Sequence, residues 1–129
     1  MKLQKNMNEE KVKEDLYNKG LAAFENHNFY DAHEYWEDLW SDFRLKDAKF
    51  VQALIQLSVG YFHITNNNRN GALGLLNKCI PKFKEYLPVH RNINVEYILR
   101  QINLSIQEIN KIDELNKFNW KLVPKIKEE

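Results

Sequence analysis

Much that would tie this chain to a disulfide scaffold, a membrane or a polyanion is missing from it. One cysteine, Cys79, excludes an internal disulfide and points to a reducing compartment. Only 4 glycines and 3 prolines interrupt 129 residues, and Pro88 and Pro124 fall where helices would stop anyway. Charge of one sign is not in excess either: 19 basic side chains against 18 acidic ones leave +1, with no long-range field to steer nucleic acid or an anionic membrane. No apolar run reaches the ~18 residues a membrane span requires. The longest candidate, "FVQALIQLSVGYFHI", is broken by two glutamines, and the N-terminal "MKLQKNMNEEKVKED" has no apolar signal core. A glycine-rich phosphate loop, a Ser-His-Asp order and a zinc-type cysteine pair are all missing. These absences lead to the expectation of a cytoplasmic protein with no membrane and no nucleic-acid partner.

What is present is a core. With 43% hydrophobic and 12% aromatic residues the chain is globular in composition. At this length roughly two-thirds of the unfolded surface can be buried, so residues 1–129 are expected to form a single domain. Strand-like alternation is scarce and helical periodicity recurs throughout. The pattern predicts helices over about 9–25, 29–43, 47–65, 69–80 and 94–115, a helical core followed by an irregular 116–129 tail that tucks Phe118 and Trp120 onto the bundle. The first is expected to bury Val12, Leu16, Gly20, Ala23 and Phe24. The second should bury Ala32, Trp36, Leu39, Trp40 and Phe43. The third is apolar almost all round and belongs at the centre. Pro81 is expected to kink the fourth helix or to open a separate turn, and "PVHRNIN" reads as a loop. The fold class is therefore all-α, a compact bundle of about five helices.

An internal echo organises this bundle. Gly20 and Gly60, Asn28 and Asn68, Ala32 and Ala72, and Trp36 and Leu76 each lie 40 residues apart. The first two helices and the next two thus form two repeat-like hairpins packed together, similar to tetratricopeptide hairpins in which small residues let paired helices approach.

The segments "FENHNFYDAHEYWEDLW" and "FVQALIQLSVGYFHITNNNRNGALGLL" carry a closer likeness. Ala32, His33, Glu34, Glu37 and Trp40, then Gln52, Leu54, Ile55 and Gln56, then His63, Asn68, Gly71 and Ala72 resemble the bacterial and plastid family called domain of unknown function 309. Asp31 stands where that family favours Glu, and Asn67 where Gly is usual; neither departure touches the His/Glu/Gln set. The resemblance spans about residues 15–100. It implies an all-α fold and no assigned activity, with the plastid stroma as an alternative location.

The polar members of those segments are the candidate site: His33, Glu34, Glu37, Gln52, Gln56 and His63. On a helical wheel His33 and Glu37 share a face at i, i+4, and Gln52, Gln56 and His63 fall on one line of the neighbouring helix. Unpaired buried polar groups cost roughly 1–3 kcal/mol, so the expectation is that the two sets meet in the interior. Three readings follow. A fully paired network would be a structural lock that sets the register of the hairpins. Alternatively His33, Glu37 and His63 would hold a divalent metal for a hydrolase-like reaction, with Gln56 or water as fourth ligand; "HEYWE" resembles half of the zinc-peptidase H-E-x-x-H segment, with Glu34 as general base, but lacks the second His. In the third reading the hairpins bind a protein or peptide partner, or act as a scaffold, with Tyr30, Tyr35 and Arg69 at the surface. A homo-oligomer is compatible with any of these. The residues favour the partner-binding module with a buried structural His/Glu/Gln cluster, no cofactor being required; the metal-dependent enzyme is the alternative. His27 and His90 read as solvated loop residues and Cys79 as core. Lys117, Lys121, Lys125 and Lys127 read as a solvated tail.

Overall fold

The computed structural model describes residues 2–126, with side chains from residue 8 onward. Five α-helices follow in order: α1 (Lys2–Glu25), α2 (Phe29–Asp42), α3 (Ala48–Thr65), α4 (Arg69–Lys84) and α5 (Val95–Lys111). A two-stranded hairpin, β1 (Val89–His90) and β2 (Ile93–Asn94), precedes α5, and short 3₁₀ turns at Leu115–Lys117 and Trp120–Leu122 follow it. The chain is an all-α bundle. No helix among the described residues is long and apolar enough to cross a membrane.

The two hairpins are built alike because their backbones solve the same problem in the same way. Each first helix ends in a residue of left-handed conformation, His27 at φ 59° and Asn67 at φ 56°. Asn28 N–H then reaches back to Ala23 O at 2.8 Å and His27 N–H to Phe24 O at 2.9 Å. Asn68 N–H to His63 O (2.8 Å) and Asn67 N–H to Ile64 O (3.1 Å) repeat the pair. These are the paired bonds of a Schellman cap, and they satisfy carbonyls that a helix end would otherwise leave unpaired.

The repeated glycines are where the helices touch. A Cβ on Gly20 would lie 2.2 Å from Trp36 Nε1, and one on Gly60 would lie 2.9 Å from Leu76 Cδ2. The space a side chain would take is thus filled by the large residue of the partner helix, which is why the echo pairs a Gly with a bulky apolar residue sixteen positions on.

Helix α3 is the central rod. Phe50, Val51, Ala53, Leu54, Leu57 and Tyr61 are fully buried, and the Tyr61 hydroxyl is paired with Ser105 Oγ of α5 at 2.8 Å. The amphipathic α5 supplies Ile98, Leu99, Ile102 and Ile109 to the same core. Beyond it Leu115, Phe118, Val123 and Ile126 are buried and Trp120 stacks on Phe29, so the 116–126 part of the tail closes the bundle. Residues 127–129, including Lys127, lie outside the described residues.

Several expectations need correction. Val12 and Trp40 are 47% and 40% exposed and contribute little to the core; each lies at the edge of its apolar stripe. Helix α4 runs through Pro81 to Lys84. With only three helical residues after it, the ring forfeits one backbone bond close to a terminus, a small loss beside the burial of Phe83. The "PVHRNIN" segment is a tight hairpin, because Arg91 and Asn92 both take positive φ (49° and 62°) as a two-residue type I′ turn demands. Helix α5 stops at Lys111, before the predicted 115.

Candidate functional site

The His33 and Glu37 pair forms as the i, i+4 spacing requires. His33 Nε2 lies 3.0 Å from Glu37 Oε2, and Nδ1 lies 3.0 Å from Tyr30 O. The carbonyl can only accept, so Nδ1 donates to it, and Nε2 faces the carboxylate. The setting is the surface, however. Glu37 is 55% exposed, Glu34 and Asp38 stand beside it in solvent, and with His33 and Ser41 they line a shallow depression of about 210 Å³.

Gln52, Gln56 and His63 do lie along one half-buried stripe of α3. Helix α2 packs antiparallel to α3, for the Tyr30 ring near the start of one lies 5.5 Å from Phe62 near the end of the other. Equal rises along two antiparallel helices then bring Gln56 to about the level of Trp36 and Gln52 to about that of Trp40. His63 lies at the far end, where its Nδ1 is 3.3 Å from Asn68 Nδ2 at the α3–α4 turn. Gln56 Oε1 is shielded from solvent and has no hydrogen-bond partner among the described residues.

The expected buried His/Glu/Gln cluster is therefore not assembled. Its histidines are spent on local partners, Tyr30 O and Asn68, each within five residues in sequence, and its carboxylate is in water. Among the described residues no three His, Cys, Asp or Glu side chains are grouped so that they could hold a metal ion. His33, Glu37 and His63 thus do not form a three-ligand set among the described residues, and Glu34 is exposed to solvent.

A tighter polar constellation lies elsewhere, and the sequence reading missed it. Asp47, in the link before α3, accepts from Arg91 Nε at 2.6 Å and Arg91 Nη2 at 2.9 Å, and its Oδ2 is 2.8 Å from His90 Nε2. The Arg91 guanidinium stacks 4.4 Å over the ring of Tyr17 in α1, and the His90 ring packs 4.6 Å from both Phe50 and Tyr86. His90 is consequently half-buried and paired, contrary to the solvated-loop expectation. Burial pushes the Asp47 carboxyl up, but hydrogen bonds from Arg91 and His90 outweigh it and hold the group at about 2. Burial also raises the Tyr17 phenol well above its ordinary value, and its hydroxyl has no hydrogen-bond partner among the described residues. No local signal marks this clasp: Asp47 reaches partners 43 and 44 positions away, placed by the type I′ turn.

The remaining candidates are structural. Arg69 donates to Ile109 O, to Ile112 O at 2.9 Å and to Asp113 O at 3.0 Å, closing the C-terminus of α5 on the wall of a cavity of about 770 Å³. Burial pushes the Cys79 thiol up to about 12, so the core position keeps it protonated and unreactive. His27 is exposed but stacks on Phe29 at 5.2 Å.

Residues 17–75, from the Tyr17 turn of α1 to the middle of α4, match the family model described as Domain of unknown function (DUF309). The match takes in both Schellman caps, both notch glycines and all six polar candidates. Neither the curated proteins nor the solved structures yielded a match.

Proposed function

We propose, from the match of residues 17–75 to the DUF309 family model, that the chain is a partner-binding module whose outer α2 face, continued onto the half-buried α3 stripe, docks a cationic segment of another protein. One observation carries the reading. Helix α2 holds Asp31, Glu34, Glu37, Asp38 and Asp42 with His33 as its sole basic side chain, and on the same helix Tyr30 and Trp40 are 50% and 40% exposed. Large aromatics left in water beside a patch of one charge sign are the usual makings of a recognition surface: the rings anchor and the charges orient and steer. The partner's Lys or Arg side chains would meet the carboxylates, and a Lys stem or an apolar residue would cover the rings. The likeness of the hairpins to tetratricopeptide units agrees with a docking role, by analogy of fold alone. A metal-dependent enzyme lacks a third ligand beside His33 and Glu37, so the module is the better-supported reading.

The test is calorimetric titration of the full chain with a Lys-rich amphipathic peptide and with the same peptide carrying Glu for Lys. Saturable binding of the first alone is expected, weakening as salt rises because the charges are solvent-exposed. A Trp40→Ala or Glu34→Lys/Asp38→Lys variant should lose it. Equal binding of both peptides, or unchanged binding by the variants, would end the proposal.

A further inference from the structure

We infer that α4 of a second copy of this chain is the cationic segment received by the acidic face of α2, a partner that presupposes the docking role proposed for α2. The two helices are the equivalent second members of their hairpins, and they carry opposite charge. Helix α2 has carboxylates and no Lys or Arg, whereas α4 has Arg69, Lys78, Lys82 and Lys84 and no carboxylate. At the 40-residue echo Asp38 corresponds to Lys78 and Asp42 to Lys82. Arg69 is committed to the end of α5, which leaves the three lysines.

Both sets of charges are unspent. Among the described residues Asp31, Glu34, Asp38 and Asp42 have no ion pair, nor do Lys78, Lys82 and Lys84, and all but the half-buried Lys82 are exposed. Opposite single-sign faces on one nearly neutral chain attract across copies, and like faces repel, which selects α2 against α4. The spacing agrees. Tyr30, Glu34 and Asp38 lie at i, i+4 and i+8 on α2, and Gly74, Lys78 and Lys82 repeat that spacing on α4. Each step is about 6 Å of rise, so one parallel alignment sets Glu34 against Lys78, Asp38 against Lys82 and the Tyr30 ring over Gly74. Packing within its own chain does not account for that glycine. It is exposed in mid-helix, a Cβ there meets nothing within 4 Å, and helix propensity disfavours it. Bare backbone at that point admits the close approach of a neighbour's ring, and Tyr30 is 50% exposed in the single chain.

Sedimentation equilibrium of the full chain tests this. At about 0.01 M salt the weight-average mass should rise with concentration above that of one chain, and at about 1 M salt it should fall back, because exposed pairs are screened. The Glu34→Lys/Asp38→Lys and Lys78→Glu/Lys82→Glu variants should each stay single. An equimolar mixture of the two should associate as the parent does, since each supplies the charge that the other now lacks. Gly74→Gln adds bulk without charge and should raise Kd about tenfold or more, with the circular dichroism spectrum of the parent. That variant separates a fitted surface from attraction between net charges. A mixture that stays single, or parent-like association of Gly74→Gln, overturns the second copy. A parent chain that stays single at low salt while still binding the Lys-rich peptide overturns it and leaves the docking role of α2 in place, whereas a chain that does neither loses both.

Discussion

The α1–α2 and α3–α4 hairpins share a backbone plan and differ in almost every contact around it. Both turn through a Schellman cap and both close on a glycine notch. In the first, the notch is filled by the rigid indole of Trp36, whose Nε1 donates to Tyr17 O at 3.2 Å, and the cap residue Asn28 makes no side-chain cap bond. In the second, the filler is the flexible end of Leu76, and Asn68 Oδ1 accepts from Gly71 N–H at 2.9 Å. Position for position, Phe29 in one hairpin is an aromatic core residue against Phe24 and Tyr61, while Arg69 in the other seizes the end of α5. The comparison separates two kinds of constraint. Close approach of helices is a local, repeatable solution; what each hairpin does with its outer surface depends on which neighbours the bundle gives it.

The sharpest way to break the comparison is at the notches. Gly20→Ala should destabilise by about 3 kcal/mol, since the indole cannot move aside without losing its hydrogen bond and its packing. Gly60→Ala should cost only about 1 kcal/mol, because a leucine end can shift and alanine gains helix propensity. Urea unfolding measures both, and equal losses would show that the rigidity of the filler is irrelevant.

The Asp47 clasp, which ties the link between the two hairpins to the β-turn, should weigh next. Its carboxyl lies at about 2 when folded, below the ordinary value near 4, so its stabilisation is present above pH ~4 and fades as pH falls towards 2. The contribution is on the order of 2 kcal/mol. Asp47→Asn should lower the stability at pH 7 and flatten its slope between pH ~4 and 2; a variant with the parent's acid slope would remove Asp47 from that role.

Arg69→Met tests the hairpin-two exception. Loss of charged donors to the α5 terminus should cost about 1–2 kcal/mol and speed hydrogen exchange in the last turn of α5 before the core. Exchange unaffected there would mean that the tail alone holds that terminus.

Gly74 is the internal control. A Cβ there meets nothing within 4 Å, so Gly74→Ala should stabilise by about 0.5–1 kcal/mol, and a lowered Tm would contradict the open space.

The smallest effect belongs to the His33–Glu37 pair. With Glu37 55% exposed, Glu37→Gln should change stability by less than about 0.5 kcal/mol. A loss above about 2 kcal/mol would restore the buried-lock idea.

Legibility followed the same division. The helices over 29–42 and 48–65 can be located from apolar periodicity within a residue or so, and the 40-residue echo alone marks the notches. The i, i+4 pair of His33 and Glu37 was equally readable, being a property of one helix. The burial of that pair was not, because a wheel gives direction and not what stands opposite. The clasp of Asp47 with His90 and Arg91 was hidden for a second reason: it depends on a two-residue turn formed by Arg and Asn, which carries no glycine to announce it.

Periodicity, spacing and small-residue placement are short-range quantities, and from them the amino-acid order alone determined an all-α bundle of two echoing hairpins with α3 at its centre. Which polar groups meet is a sum over segments far apart in the chain, and only tertiary packing decided it. That packing left the carboxylates of α2 in water and drew Asp47, His90 and Arg91 together, because burial of a charge is tolerated only where distant partners arrive with the right geometry.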